Sequence, residues 1–253
     1  MHKRMMLLMR SLWGWVMAAF VSSALAAELS VLSAGAVEPG LRAAIAAYEK
    51  ETGHKVQVTF NTAPQIRSRV EAGEKADVLI VPPALMDELA KGGKVAAERI
   101  SLGRVGQGIA VRPDAPLPDI ATVDAMIRAL RAADSVVFNR ATGGQYIESM
   151  LRRIGVYDDI EARITRYASA GEVMDHLLKG KGNEIGFAPV TEIMLYQAKG
   201  LRFVGPLPAD VQQLNAYAAS PMSHGANPEL AATFVKYLGG PVAKAAFRAA
   251  GID

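Results

Sequence analysis

The sequence predicts an α/β fold of two lobes joined by crossing strands. Three observations carry that expectation. Residues 28–83 alternate strand-like and helix-like patterns in the order strand, helix, strand, helix, strand. Residues 135–204 repeat the alternation. Between and after these blocks stand two further strand-like runs, residues 107–112 and 214–219, placed where a chain would cross from one lobe to the other and back.

The first block opens with a strand over residues 29–33 and the small-residue turn Ala34, Gly35, Ala36. Leu41, Ala44, Ile45 and Tyr48 then recur at i, i+3, i+4 and i+7, one face of a helix that Gly53 stops. Val56, Val58 and Phe60 alternate as a half-buried strand. Asn61, Thr62, Ala63 and Pro64 turn into a second helix, and residues 77–81 form the near-continuous apolar run of a parallel strand. Open sheets of this kind hold ligands beyond the C-terminal ends of their strands, at the N-termini of the following helices.

Farther along, residues 84–91 read as a short helix ended by Gly92 and Gly93, and residues 95–106 as a connecting segment. Pro113, Pro116 and Pro118 exclude regular helix after the crossing strand. Val123, Met126, Ile127 and Leu130 give a helical face, as do Ile147, Met150, Leu151 and Ile154 before Gly155. Strands follow at 135–138, 164–168, 185–188 and 201–204, with helices from Gly171 through Leu177 and over residues 190–199. The chain closes with helices at 228–238 and 241–249. The expected division is residues 27–106 with 215–253 as the first lobe and 107–214 as the second.

Residues 1–26 stand outside this pattern. Lys3, Arg4 and Arg10 precede a short apolar core, and Ala24, Leu25, Ala26 form an A-x-A site, the signature of a cleaved secretory signal. Of the 28 Lys and Arg residues, three lie in this segment, which has no acids; the remaining 25 balance the 25 Asp and Glu. The formal charge of +3 is thus an export feature rather than a nucleic-acid footprint. The absence of cysteine excludes disulfides, Cys-ligated metals and a lipidated N-terminal Cys. Export without an anchor predicts a soluble monomer in a bacterial periplasm.

Four loops at expected helix starts consist of small residues: 34–37, 61–64, 141–144 and 169–172. Each alone is ordinary N-cap chemistry. Together, two from each half, they suit a cleft closing on one small anion through backbone N–H groups. Arg67 and Arg140 lie near two of them and offer charged partners, while Tyr146 and Tyr217 are candidates to close over a ligand. His54 and His176 have no partner at metal-ligand spacing. No nucleophile elbow, zinc-protease motif or P-loop occurs, so the expectation is a binding protein with no cofactor and no metal, not an enzyme. An exported enzyme on this scaffold would need a base in the cleft, for which Glu172 and Asp77 are the first candidates, and a sensor domain is a third possibility.

The segments VLSAGAVEPGLRAAIAAYEKETGHKVQVTF and RSRVEAGEKADVLIVPPALMDEL resemble the periplasmic molybdate-binding proteins of ABC transporters, with Glu71 to Ile80 the most specific piece. The likeness continues through TGGQYIESMLRRIGV, EVMDHLLKGKGNEIGFAP and FVKYLGGPVAKAAFRAAGI. It implies a type II periplasmic binding protein, each lobe a mostly parallel sheet flanked by helices, delivering a small anion to an ABC permease. It implies contacts at Ala36, Thr62, Ala63, Gly143 or Gly144, Val173 and Pro189, to which the loop reading above adds Gly35, Thr142 and Arg67 as candidates. The family's hydroxyl donors, however, fall on Ala36, Ala63 and Pro189, with Thr62 the nearest hydroxyl. Each donor missing from a buried anion costs about 1–3 kcal/mol. The resemblance therefore allows two cargoes, a molybdate- or tungstate-like oxyanion or a small organic carboxylate.

Overall fold

A computed structural model of the protein describes residues 27–96 and 98–253. The candidate signal segment lies outside the described residues. The order of elements is β1 (Glu28–Ala34), α1 (Glu38–Thr52), β2 (Lys55–Asn61), α2 (Ala63–Glu71), β3 (Val78–Val81), α3 (Pro83–Lys91) and β4 (Ile100–Val111). It continues with α4 (Val123–Ala132), β5 (Ser135–Asn139), α5 (Thr142–Arg153), α6 (Tyr157–Ile160), β6 (Ile164–Tyr167), α7 (Ala170–Lys179), β7 (Glu184–Pro189), α8 (Val190–Gln197) and β8 (Arg202–Pro206). The chain ends with β9 (Leu214–Pro221), α9 (Pro228–Leu238) and α10 (Pro241–Ala249).

The strands run in the order β2-β1-β3-β9-β4-β7-β5-β6, with β8 beside β4. β1 is parallel to β2 and β3, and β5 is parallel to β6 and β7. Each parallel trio meets an antiparallel crossing strand, β9 beside β3 and β4 beside β7. The two lobes thus share one plan, and β4 and β9 join them by pairing with each other. Parallel strands leave all their C-terminal ends on one side, so both trios point their helix-starting loops the same way.

The helix faces read from periodicity are the buried ones: Leu41, Ala44, Ile45 and Tyr48 of α1 sink into the first lobe's core. The Tyr48 ring meets Phe234 and Tyr237 edge-on, at 4.9 and 5.0 Å. Ile147, Met150 and Leu151 of α5 do the same in the second lobe with Phe138 and Phe187. Asp77, one of three acids in the most family-like segment, serves the fold. Its carboxylate accepts hydrogen bonds from Ser30 N (2.8 Å), Ser30 Oγ (2.8 Å) and Asn227 N (2.8 Å), tying β1 to the start of α9. Burial opposes its charge, but these donors outweigh burial and hold the carboxyl below its ordinary range.

Two expectations are corrected, and one short helix goes unforeseen. Residues 100–106 are strand rather than connector: β4 is paired throughout, with β9 over 100–106 and with β7 over 107–111. Its glycines hid it, because their low strand propensity is overridden by the pairing with β9. Gly103 bends it (φ 129°) at a register shift against β9, where an added Cβ would lie 2.8 Å from Ile252 Cγ2. The C-terminus packs there through Asp253 N donating to Arg104 O (3.1 Å). The short α6 is too brief for periodicity to reveal. The helix after Pro189 ends at Gln197, short of residue 199, with Gly200 at φ 95° in the reversal that follows.

Candidate functional site

A cavity of about 280 Å³ lies between the lobes. The ends of all six parallel strands reach it: Ala34 of β1, Asn61 of β2, Pro82 after β3, Asn139 of β5, Ser169 after β6 and Pro189 of β7. The crossing strands add Gln107 and Tyr217. Its size sits at the low end of small-molecule sites, about 300 Å³ and upward, which fits a small metabolite.

Of the sequence-derived residues, Gly35, Ala36, Thr62, Ala63, Thr142, Gly143 and Pro189 line this cavity. The other three do not. Gly144 packs against its own loop, where a Cβ would fall 1.7 Å from Asn139 O. Val173 is fully buried in the second lobe's core. Arg67 points outward and pairs with Glu88 on the surface. Among the other candidates, Tyr217 faces the cavity, whereas Tyr146 packs on the second core and donates its hydroxyl to Val211 O (2.6 Å). Arg140 and His176 stand outside the lining.

Anion-binding potential comes from the helix starts. Thr142, Gly143 and Gly144 occupy the first turn of α5, where backbone N–H groups have no intrahelical acceptor. Asn139 Oδ1 accepts from Ala141 N (2.9 Å) and braces that loop. Gln107 sets its side-chain amide against Gly143; a Cβ on that glycine would lie 2.9 Å from Gln107 Nε2. At α2, Thr62 and Gln65 form a capping box, with Thr62 N donating to Gln65 Oε1 (2.9 Å). At α7, Ser169 Oγ accepts from Glu172 N (3.3 Å), and Glu172 Oε2 accepts from Ala168 N (2.9 Å). Glu172 is therefore a surface capping group and Asp77 a structural clamp. Neither lines the cavity, which corrects both as candidate bases.

The cleft's acids are two others, Glu38 and Glu192. No Lys, Arg or His is among the lining residues described. Glu38, in the first turn of α1, pairs with Arg42 (2.7 Å) at the rim. Glu192 is the third residue of α8, and its carboxyl atoms stand 3.5 Å from the position of a Cβ on Gly35. An acid at this helix position ordinarily reaches back to the N-cap amide, but the N-cap here is Pro189, which has no N–H. Among the described residues its carboxylate has no hydrogen-bond or ion-pair partner. Burial, helped by the charge of Glu38, pushes its pKa up to about 7. Burial, then the same Glu192, also raises the Tyr217 phenol above its ordinary value.

Next to Glu192, Thr191 is fully buried and donates its hydroxyl to Ala36 O (2.6 Å). This bond crosses from the second lobe to the first and seats α8 on the α1 start. Sequence reasoning missed both residues, since residues 190–194 read as an ordinary helix opening. The available signal was Pro189 three positions before Glu192, an acid at a capping position with no amide to cap.

A family model described as bacterial extracellular solute-binding protein matches residues 29–253. A relative named aconitate isomerase, from Pseudomonas sp, is 30% identical over 230 residues, which is 88% of this chain and 87% of that protein. Among solved structures, the periplasmic molybdate-binding protein of Azotobacter vinelandii superposes with a TM-score of 0.75 at 19% identity, covering 89% of this chain and 98% of that one. The sulfate-binding protein SubI of Mycobacterium tuberculosis gives 0.73 at 18%, covering 89% and 86%. At such identities these two structures establish the fold.

Proposed function

The chain belongs to the bacterial extracellular solute-binding protein family, and from that premise we propose that it captures a small polycarboxylate anion in the interlobe cleft. The observation that carries this reading is the unpaired acid of the cleft. A tetrahedral oxyanion concentrates its whole charge at one point beside Glu38 and Glu192, whereas a polycarboxylate spreads its charge over separate groups that can sit away from them. The oxyanion would also meet Ala36, Ala63 and Pro189 where hydroxyl donors are wanted. A carboxylic acid ligand tolerates these acids better. Its carboxylates have the first-turn amides of α5 and α7 and the amides of Gln107 and Asn139 as donors, while Glu192, holding a proton near neutral pH, donates a further hydrogen bond.

Export through residues 1–26 and hand-over to a membrane permease complete the proposal. Among the described residues no helix is long and apolar enough to cross a membrane. Titration calorimetry with cis- and trans-aconitate, citrate, molybdate, tungstate and sulfate tests the ligand class. Heat from the tricarboxylates and none from the inorganic anions is expected; a preference for molybdate or tungstate overturns it.

A second reading, an exported isomerase acting on such a ligand, is favoured by the relative's name and by the presence of a cleft acid. Interconversion of the cis and trans acids, followed by proton NMR, decides it. Stable spectra over many hours with stoichiometric protein leave capture alone.

A further inference from the structure

We propose that the Glu192 carboxyl group is the acid–base catalyst of the cleft, moving a proton between two carbons of a bound unsaturated polycarboxylate so that its double bond migrates or exchanges geometry. The proposal rests on the isomerase reading above and names the residue that would perform it.

Four features converge on Glu192. It lines the cavity that both trios of parallel strands reach. Its carboxylate has no hydrogen-bond or ion-pair partner among the described residues, and its helix's N-cap, Pro189, has no amide to offer it. Thr191, its neighbour, is anchored to Ala36 O, so the first turn of α8 is fixed relative to the opposite lobe. The carboxyl lies over Gly35, 3.5 Å from where a Cβ on that residue would stand, so it rests against the loop after β1 on the opposite lobe.

The charged and titratable groups facing it are Glu38 from the α1 start, itself paired with Arg42, and the phenol of Tyr217 from β9. On its own helix Tyr196 is close enough to sense both Glu192 and Glu38. No cation faces it from the lining, so nothing holds the carboxylate permanently ionised, and an acid pushed up to about 7 is suited to both halves of a proton relay.

The step balances without a co-reactant. Ionised Glu192 takes the proton from the saturated carbon adjacent to the double bond; that C–H bond breaks, and its electron pair forms the new double bond. The former double-bond electrons delocalise into the neighbouring carboxylate. The proton then returns from Glu192 to the far carbon, migrating the double bond; return to the original carbon after rotation within the delocalised intermediate exchanges the geometry. Charge developing on the carboxylate is met by the first-turn amides of α5, fixed before the ligand arrives.

The test follows exchange of ligand C–H for deuterium in heavy water by NMR, with the cis and trans tricarboxylates of the binding experiment. Wild-type protein is expected to exchange the allylic proton at a rate that rises with pH through about 7, as the base ionises. Glu192→Gln is expected to keep ligand affinity within about tenfold and to lose at least about a hundredfold in exchange. Glu172→Ala, at the equivalent position of α7, is expected to exchange like wild type. Wild-type binding without exchange overturns this proposal and leaves the capture reading standing; absence of binding overturns both. Exchange undiminished in Glu192→Gln overturns it as well. Should Glu192→Gln prove unfolded by its thermal melt, Glu192→Asp must show slowed exchange with the pH dependence retained, and unchanged exchange overturns the proposal.

Discussion

The starts of α7 and α8 place the same residue type at the same helical position with opposite results. Glu172 and Glu192 are each the third residue of their helix. In α7 the N-cap is Ser169, the preceding backbone offers Ala168 N, and the carboxylate is spent on that amide. In α8 the N-cap is a proline without an N–H, and the carboxylate stands unpaired over Gly35. One acid stabilises a helix; the other sits in a cleft with its pKa raised. The two starts differ at the N-cap, serine in α7 and proline in α8, and in the backbone before it: Ala168 N is open to Glu172, whereas Ala188, the equivalent residue, lies inside β7 paired with β4.

The sharpest way to break this contrast is the pH dependence of the unliganded protein. Glu192 has a folded-state pKa of about 7 against an ordinary 4.5. The folded state therefore binds more protons than the unfolded state between these values. The stability this lends is complete below about pH 4.5 and is lost as pH rises through 7, amounting to at most about 3 kcal/mol. Urea titrations of wild type at pH 5 and pH 8 should show the decline, and Glu192→Gln should flatten it. Parallel curves for the two proteins would mean that Glu192 is not held in the proton-retaining site described here.

Next in size is the anchor of α8. Thr191→Val keeps the shape but strips the donor from a buried carbonyl, Ala36 O, at a cost of about 2 kcal/mol. Thermal melts should register that loss, together with weaker ligand binding because the lobes are no longer pinned at this point. Glu172→Ala should cost less, about 1 kcal/mol, with ligand affinity unchanged in calorimetry, since it loses only an exposed capping contact. The smallest expected effect is the most instructive. Pro189→Ser restores both an N–H and a capping hydroxyl, so Glu192 should be partly recaptured. Its titration, followed by carbon NMR of labelled glutamate, should then fall below that of wild type by a few tenths of a pH unit to about one unit.

Much of this architecture was visible in the chain before any coordinates. The periodic apolar faces of α1 and α5, the short apolar runs that became β3 and β7, and the four small-residue loops follow from local pattern alone. Those signals are local because a helix face and a βα turn are built from residues within a few positions of one another. What failed was of another kind. Arg67 was placed near the ligand by proximity in sequence to Thr62 and Ala63, yet α2 turns it outward to Glu88, as a helix separates neighbours onto different faces. β4 was shortened because its glycines carry no strand signal, while its partners are supplied by distant strands.

By itself the sequence determined the two repeated α/β plans and the loops that gather at the strand ends. Tertiary structure alone decided the chemistry of the cleft. Glu192 and Gly35 come from different lobes and meet only when β4 and β9 bring the two trios of strands face to face. Burial between the lobes then raises an otherwise ordinary acid to about 7. Desolvation and charge proximity depend on distance in space, and no pattern of neighbours along the chain encodes a contact closed by a fold.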